Sequence, residues 1–131
     1  MPERPPTWIA EAVVLAVHDE QLAEHGGLPG VRSPELLSSA LARPRHLSDL
    51  GDPGIAELAA SYACGIARNH PFADGNKRTA LVVAETFLLL NGHALHADDA
   101  DCVSTFLALA ADELTEQGLA AWISEHLGAR A

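Results

Sequence analysis

Residues 55 to 90 read IAELAASYACGIARNHPFADGNKRTALVVAETFLLL, and this stretch decides the fold. Apolar side chains cover almost every side of a helix drawn over Ile55–Ala67, and again over Thr79–Leu90. Helices that are apolar all round belong in the interior. The polar stretch from Arg68 to Arg78 is the only link between them, so it must sit at one end of the helical core with rigid neighbours on both sides.

The composition agrees. The chain has 131 residues, of which 48% are hydrophobic and only 5% aromatic, so the core is built from Ala, Leu and Val, the residues of close-packed helices rather than sheets. That length suits one domain over residues 1–131 and leaves no room for a second. The expected fold is all-α, with about six helices. Ile9, Val13, Ala16 and Val17 place a first helix over Thr7–Glu24, ended by the turn Gly26-Gly27-Leu28-Pro29-Gly30. Ser33, Pro34 and Glu35 supply cap, first-turn proline and dipole-favoured acid for a second helix to Ala42. Arg43–Gly54 carries two prolines and two glycines and reads as an exposed loop or short hairpin. Asn91-Gly92 forms a left-handed C-cap, Asp98 and Asp99 open a fifth helix, and Thr115 caps a last one to Leu127.

A net charge of -10 and a pI near 4.9 repel phosphate backbones, which argues against DNA or RNA as partners. Against that background Arg68, Lys77 and Arg78 cluster around His70 and suggest a small anionic ligand. Cys64 and Cys102 lie in apolar helical patterns without metal-ligand spacing and read as reduced buried thiols. The N-terminus lacks a signal-peptide core, and Ala80–Leu90 is too short to span a bilayer, so no membrane association and a cytoplasmic location are expected.

Asp74-Gly75-Asn76 opens a strongly helical run, and the first N–H groups of a helix lack intrahelical partners. They point at whatever lies ahead of the helix, which makes an anion site. Gly75 permits close backbone approach, Lys77 adds a point charge and Arg78 a planar fork, with Arg68 in reach from the preceding helix end. His70 places a proton acceptor beside this cradle, and Asp74 can hold Mg²⁺ together with substrate phosphates. Those residues point to phosphoryl or nucleotidyl transfer from a nucleotide to a hydroxyl. Other constellations carry less. His18-Asp19 has no completing histidines and reads as a helix-end hydrogen bond, and around His93, His96, Asp98, Asp99 and Asp101 the aspartates cap a helix.

The run H-P-F-A-D-G-N-K-R-T-A-L from His70 to Leu81 resembles the core motif of the Fic/Doc family. His18-Asp19 followed by Gly26–Gly30 resembles the Doc branch, and the likeness covers about Ala10 to Gly92. It implies that His70 is the general base for a target hydroxyl, that Phe72 packs in the core and that Asp74 binds or orients the metal. Gly75, Asn76, Lys77 and Arg78 would form the anion hole, and the Arg43–Gly54 loop would be a flap that clamps the target peptide. AMP-transferring members read G-N-G-R where this chain reads G-N-K-R, and Doc-type members carry lysine there. The resemblance therefore implies ATP and Mg²⁺ as cofactors and a toxin that phosphorylates elongation factor Tu, restrained by a Phd-type antitoxin. Gly75 is the AMP-transferring variant of its position, which keeps adenylyl transfer as the alternative. A third reading is a catalytically inactive helical interaction module.

Overall fold

A computed structural model describes residues 5–130. Its centre is helix α3, Ile55–Asn69, whose residues from Leu58 to Ala67 are all buried, as its all-round apolar pattern requires. Against it pack α2, Pro34–Leu50, α4, Asn76–Leu90, α5, Asp99–Ala110, and α6, Glu116–Glu125, while α1, Glu11–His25, lies on α4. Two three-residue strands, β1 His93–Leu95 and β2 Leu127–Ala129, pair antiparallel with His93 opposite Ala129. Among the described residues the bundle is thus all-α, with six helices and a minimal sheet. No helix among the described residues is long and apolar enough to cross a membrane.

Helix starts follow the capping residues. Ser33 Oγ accepts from Leu36 N at 3.2 Å, Asp98 Oδ1 from Asp101 N at 2.8 Å and Thr115 Oγ1 from Gly118 N at 2.9 Å. Each satisfies a donor that the helix itself cannot. Past Asn91, Gly92 takes a φ of 84°, the left-handed conformation expected there.

Three expectations are corrected. Arg43–Gly54 is not a loop or hairpin: α2 runs through Pro44 to Leu50, and only residues 51–54 connect it to α3. A proline inside a helix costs about 3 kcal/mol. Here Leu37, Ala40, Pro44 and Leu47 fall on one face against the core, and the Arg45 guanidinium lies 5.5 Å from the Trp8 ring centroid. Burial of that face and the cation–π contact offset the broken bond. The first helix begins at Glu11 rather than Thr7, because Thr7 pairs with the end of α4. Asn91 Oδ1 accepts from Thr7 N at 2.8 Å, and Asn91 Nδ2 donates to Thr7 O at 3.0 Å. Finally, α1 buries Val14, His18 and Gln21, leaving Val13 39% exposed, so its inner face includes two polar side chains.

Candidate active site

The chain between α3 and α4 is held by its own side chains. Asn76, at the first position of α4, accepts from Phe72 N through Oδ1 at 3.0 Å and donates to Phe72 O through Nδ2 at 3.0 Å. This two-bond amide pairing closes the turn and drives Phe72 inward to 1% exposure. Phe72 stacks on His18 of α1, the ring centroids 3.8 Å apart and the planes 10° from parallel. His18 Nε2 lies 2.8 Å from the Asp74 carbonyl oxygen, which can only accept, so that nitrogen carries the proton. His18 sits in mid-helix, not at a helix end. It supports the turn from below.

The loop from Gly26 to Ser33 straps the same turn from the other side. Val31 and Phe72 form an isolated antiparallel bridge. Pro71 O accepts from Arg32 N at 2.7 Å and from Ser33 N at 3.0 Å, and Gly30 O accepts from Ala73 N at 3.1 Å. The Arg32 side chain reaches the carbonyls at the end of α3. Leu28 N donates to Asp74 Oδ2 at 3.2 Å, and Gly75 N to Asp74 Oδ1 at 2.9 Å, so the carboxylate is aimed by two backbone donors. A Cβ on Gly27, whose φ is 128°, would lie 2.8 Å from Asp74 Oδ2. Gly75 has a φ of 75° and is the left-handed N-cap of α4.

These contacts bring His70, Asp74, Gly75, Asn76, Lys77 and Arg78 around one cavity of about 620 Å³, also lined by Leu81, Val103, Phe106 and Leu107. A second cavity of about 990 Å³ shares His70, Lys77, Val103 and Leu107 and runs along α5. The backbone N–H groups of Asn76, Lys77 and Arg78 have no backbone partner, since the first bond of α4 runs from Thr79 N to Gly75 O. Among the described residues the side chains of Lys77 and Arg78 make no hydrogen bond, ion pair or ring contact. The His70 imidazole also makes no hydrogen bond there.

Two sequence-based assignments change. Arg68 does not line the cavity: its guanidinium donates to Leu114 O at 2.6 Å and pairs with Asp112 at 3.4 Å, tying α3 to the α5–α6 connection. Asn76 faces the cavity with its backbone, while its side-chain amide is committed to Phe72. His18 and Arg32 are the supports that the sequence reading did not assign to the site. Both make their decisive contacts with residues about 40 to 60 positions away in the chain, beyond the reach of local patterns.

The family model described as Fic/DOC family matches residues 8–88. The chain belongs to the Fic/DOC family. Within it, the chain is 36% identical over 90 residues to a protein of Escherichia phage P1 named protein kinase doc, a match covering 64% of this chain and 68% of that one. It is 45% identical over 75 residues to a Mycolicibacterium smegmatis protein named toxin Doc, a match covering 56% of this chain and 58% of that one. The Fic/DOC match takes in α1 to α3 and α4 as far as residue 88, and with them the whole turn, its strap and its histidine stack.

Proposed function

We propose that the chain is a Doc-type toxin, a nucleotide-dependent transferase that moves the γ-phosphate of ATP to a hydroxyl of a translation factor of the elongation factor Tu class. One observation carries this reading: two unpartnered cations, Lys77 and Arg78, and the free N–H groups at the start of α4 converge on a cavity that also holds an unpartnered imidazole, His70. Among the described residues these two are the cations without a hydrogen bond, ion pair or ring contact, and an acidic chain that places them in one cavity suits a small polyanion there. The name of the phage relative, protein kinase doc, supports phosphate as the group transferred.

The chemistry follows from the placement. A phosphoryl transfer needs charge stabilisation on the phosphate oxygens and little covalent help. Lys77, Arg78 and the backbone donors provide that stabilisation. His70 accepts the proton of the attacking hydroxyl, whose oxygen bonds to the γ-phosphorus as the bond to the bridging oxygen breaks and ADP leaves. Each Asp74 oxygen accepts one backbone bond and keeps a lone pair, so the carboxylate fits the single-carboxylate share that a protein usually gives Mg²⁺. When bound, that ion neutralises charge on the nucleotide phosphates. Asp74 would hold it, with Gly27 leaving room for the carboxylate.

Gly75 favours a second reading, adenylyl transfer, because it is the residue that AMP-transferring members of the family carry at this position. Purified elongation factor Tu, Mg²⁺ and ATP labelled at either the γ- or the α-phosphate separate the two. Label from the γ-position supports phosphoryl transfer, and label arriving only from the α-position replaces it by AMP transfer. A His70→Ala protein that stays folded should give neither. As a Doc-type toxin the chain would be restrained by a Phd-type antitoxin, which should suppress the labelling when added in equimolar amount.

A further inference from the structure

We infer that Arg32 is a positioning residue for His70, holding the imidazole at the working angle by capping the end of α3. This inference rests on the reading of His70 as the group that accepts the hydroxyl proton.

His70 follows α3 with φ 50° and ψ 58°, a left-handed conformation that costs a residue with a Cβ about 1–2 kcal/mol. A helix that ends this way normally recovers the cost by bonds from the next two N–H groups back to its last carbonyls. Pro71 removes one of those donors. It also disfavours the right-handed helical conformation for His70, so the relaxed alternative is extended, and an extended His70 would swing its Cα–Cβ bond away from the cavity. Something else must hold the strained state.

Arg32 brings two donors to this end of the helix from outside it, on carbonyls other than the one a Pro71 N–H would reach. Its Nε donates to His70 O at 2.7 Å and its Nη2 to Asn69 O at 2.8 Å, one planar fork across two successive carbonyls. Both bonds are short and charge-assisted, and the cation sits at the negative end of the α3 dipole. The backbone just after His70 is pinned as well, because Arg32 N and Ser33 N both donate to Pro71 O. Arg32 does not line the cavity and touches neither Lys77 nor Asp74. Its side chain acts on the site through the backbone of Asn69 and His70.

The test compares the parent chain with Arg32→Gln and Arg32→Lys. For γ-phosphate transfer from ATP to elongation factor Tu, Arg32→Gln should lower kcat by about 10- to 100-fold, the cost of a misplaced catalytic group, with KM for ATP unchanged. Arg32→Lys, which can serve one carbonyl but not both, should fall between. In NMR of selectively labelled protein, the His70 Cα shift and its N–H to Hα coupling should leave their left-handed values in Arg32→Gln while α4 resonances stay put. An unchanged His70 conformation in Arg32→Gln overturns the inference. So does an unchanged kcat, or a KM for ATP that rises as steeply as kcat falls. If the parent transfers no label at all, the transferase reading fails, and the NMR comparison still decides whether Arg32 holds His70.

Discussion

Replacing Asn76 by alanine removes both bonds that hold the Phe72 backbone, and the consequence can be worked out in advance. Phe72 is 1% exposed, and its N–H and C=O have no other partner in the turn, so each becomes a buried unsatisfied group. Such groups cost about 1–3 kcal/mol apiece, and some relaxation toward water brings the expected total to about 3 kcal/mol. For 131 residues the unfolding entropy is about 0.28 kcal/mol per degree, so the melting temperature should fall by roughly 10 °C. Circular dichroism melts and urea titrations of Asn76→Ala measure this directly. Asn76→Asp sharpens the test, because it keeps an acceptor for Phe72 N but turns a carboxylate oxygen against Phe72 O. It should be no more stable than the alanine variant at neutral pH. If Asn76→Ala melts within about 2 °C of the parent, where ordinary surface changes fall, the amide is not the clasp described.

Other outcomes follow from single contacts. Gly27→Ala would force a Cβ to within 2.8 Å of Asp74 Oδ2, so the variant should need more Mg²⁺ for half-maximal transfer, read from a magnesium titration of activity. Burial, aided by Asp99, pushes the Glu85 carboxyl up, so its charged form is disfavoured in the fold and stability falls as pH rises through the carboxylate range. Glu85→Gln should therefore raise the melting temperature at about pH 7, with the gain vanishing below about pH 4, where both states are protonated. Burial also pushes the Cys64 thiol up to about 12, so it should resist iodoacetamide in the native protein at mild alkaline pH and react only on unfolding, as peptide mass mapping would reveal.

The sequence made the helices legible wherever a local signal set them. Caps at Ser33, Asp98 and Thr115 act as their residue types dictate, and the apolar runs of α3 and α4 are buried as their patterns require. What failed were judgments that needed a distant partner. Pro44 reads as a helix breaker until Leu47 and Trp8 are in place to reward the longer helix. Strands of three residues joined across the fifth and sixth helices carry no usable period. The inner face of α1 was misread because His18 and Gln21 are polar, and His18 is buried to serve a turn 56 residues ahead of it. The cavity itself was the most legible part, since His70, Asp74, Gly75, Lys77 and Arg78 are neighbours in sequence as well as in space. Arg68, equally close in sequence, is absent from the cavity lining because Leu114 and Asp112 capture it.

The central claim is that this cavity transfers a phosphoryl group from ATP to a protein hydroxyl. Intact mass spectrometry of elongation factor Tu, incubated with the chain, ATP and Mg²⁺, tests it most directly. A gain of one phosphoryl group, absent with the folded His70→Ala protein, is the predicted result. A gain of one adenylyl group, or no gain with either protein, contradicts it.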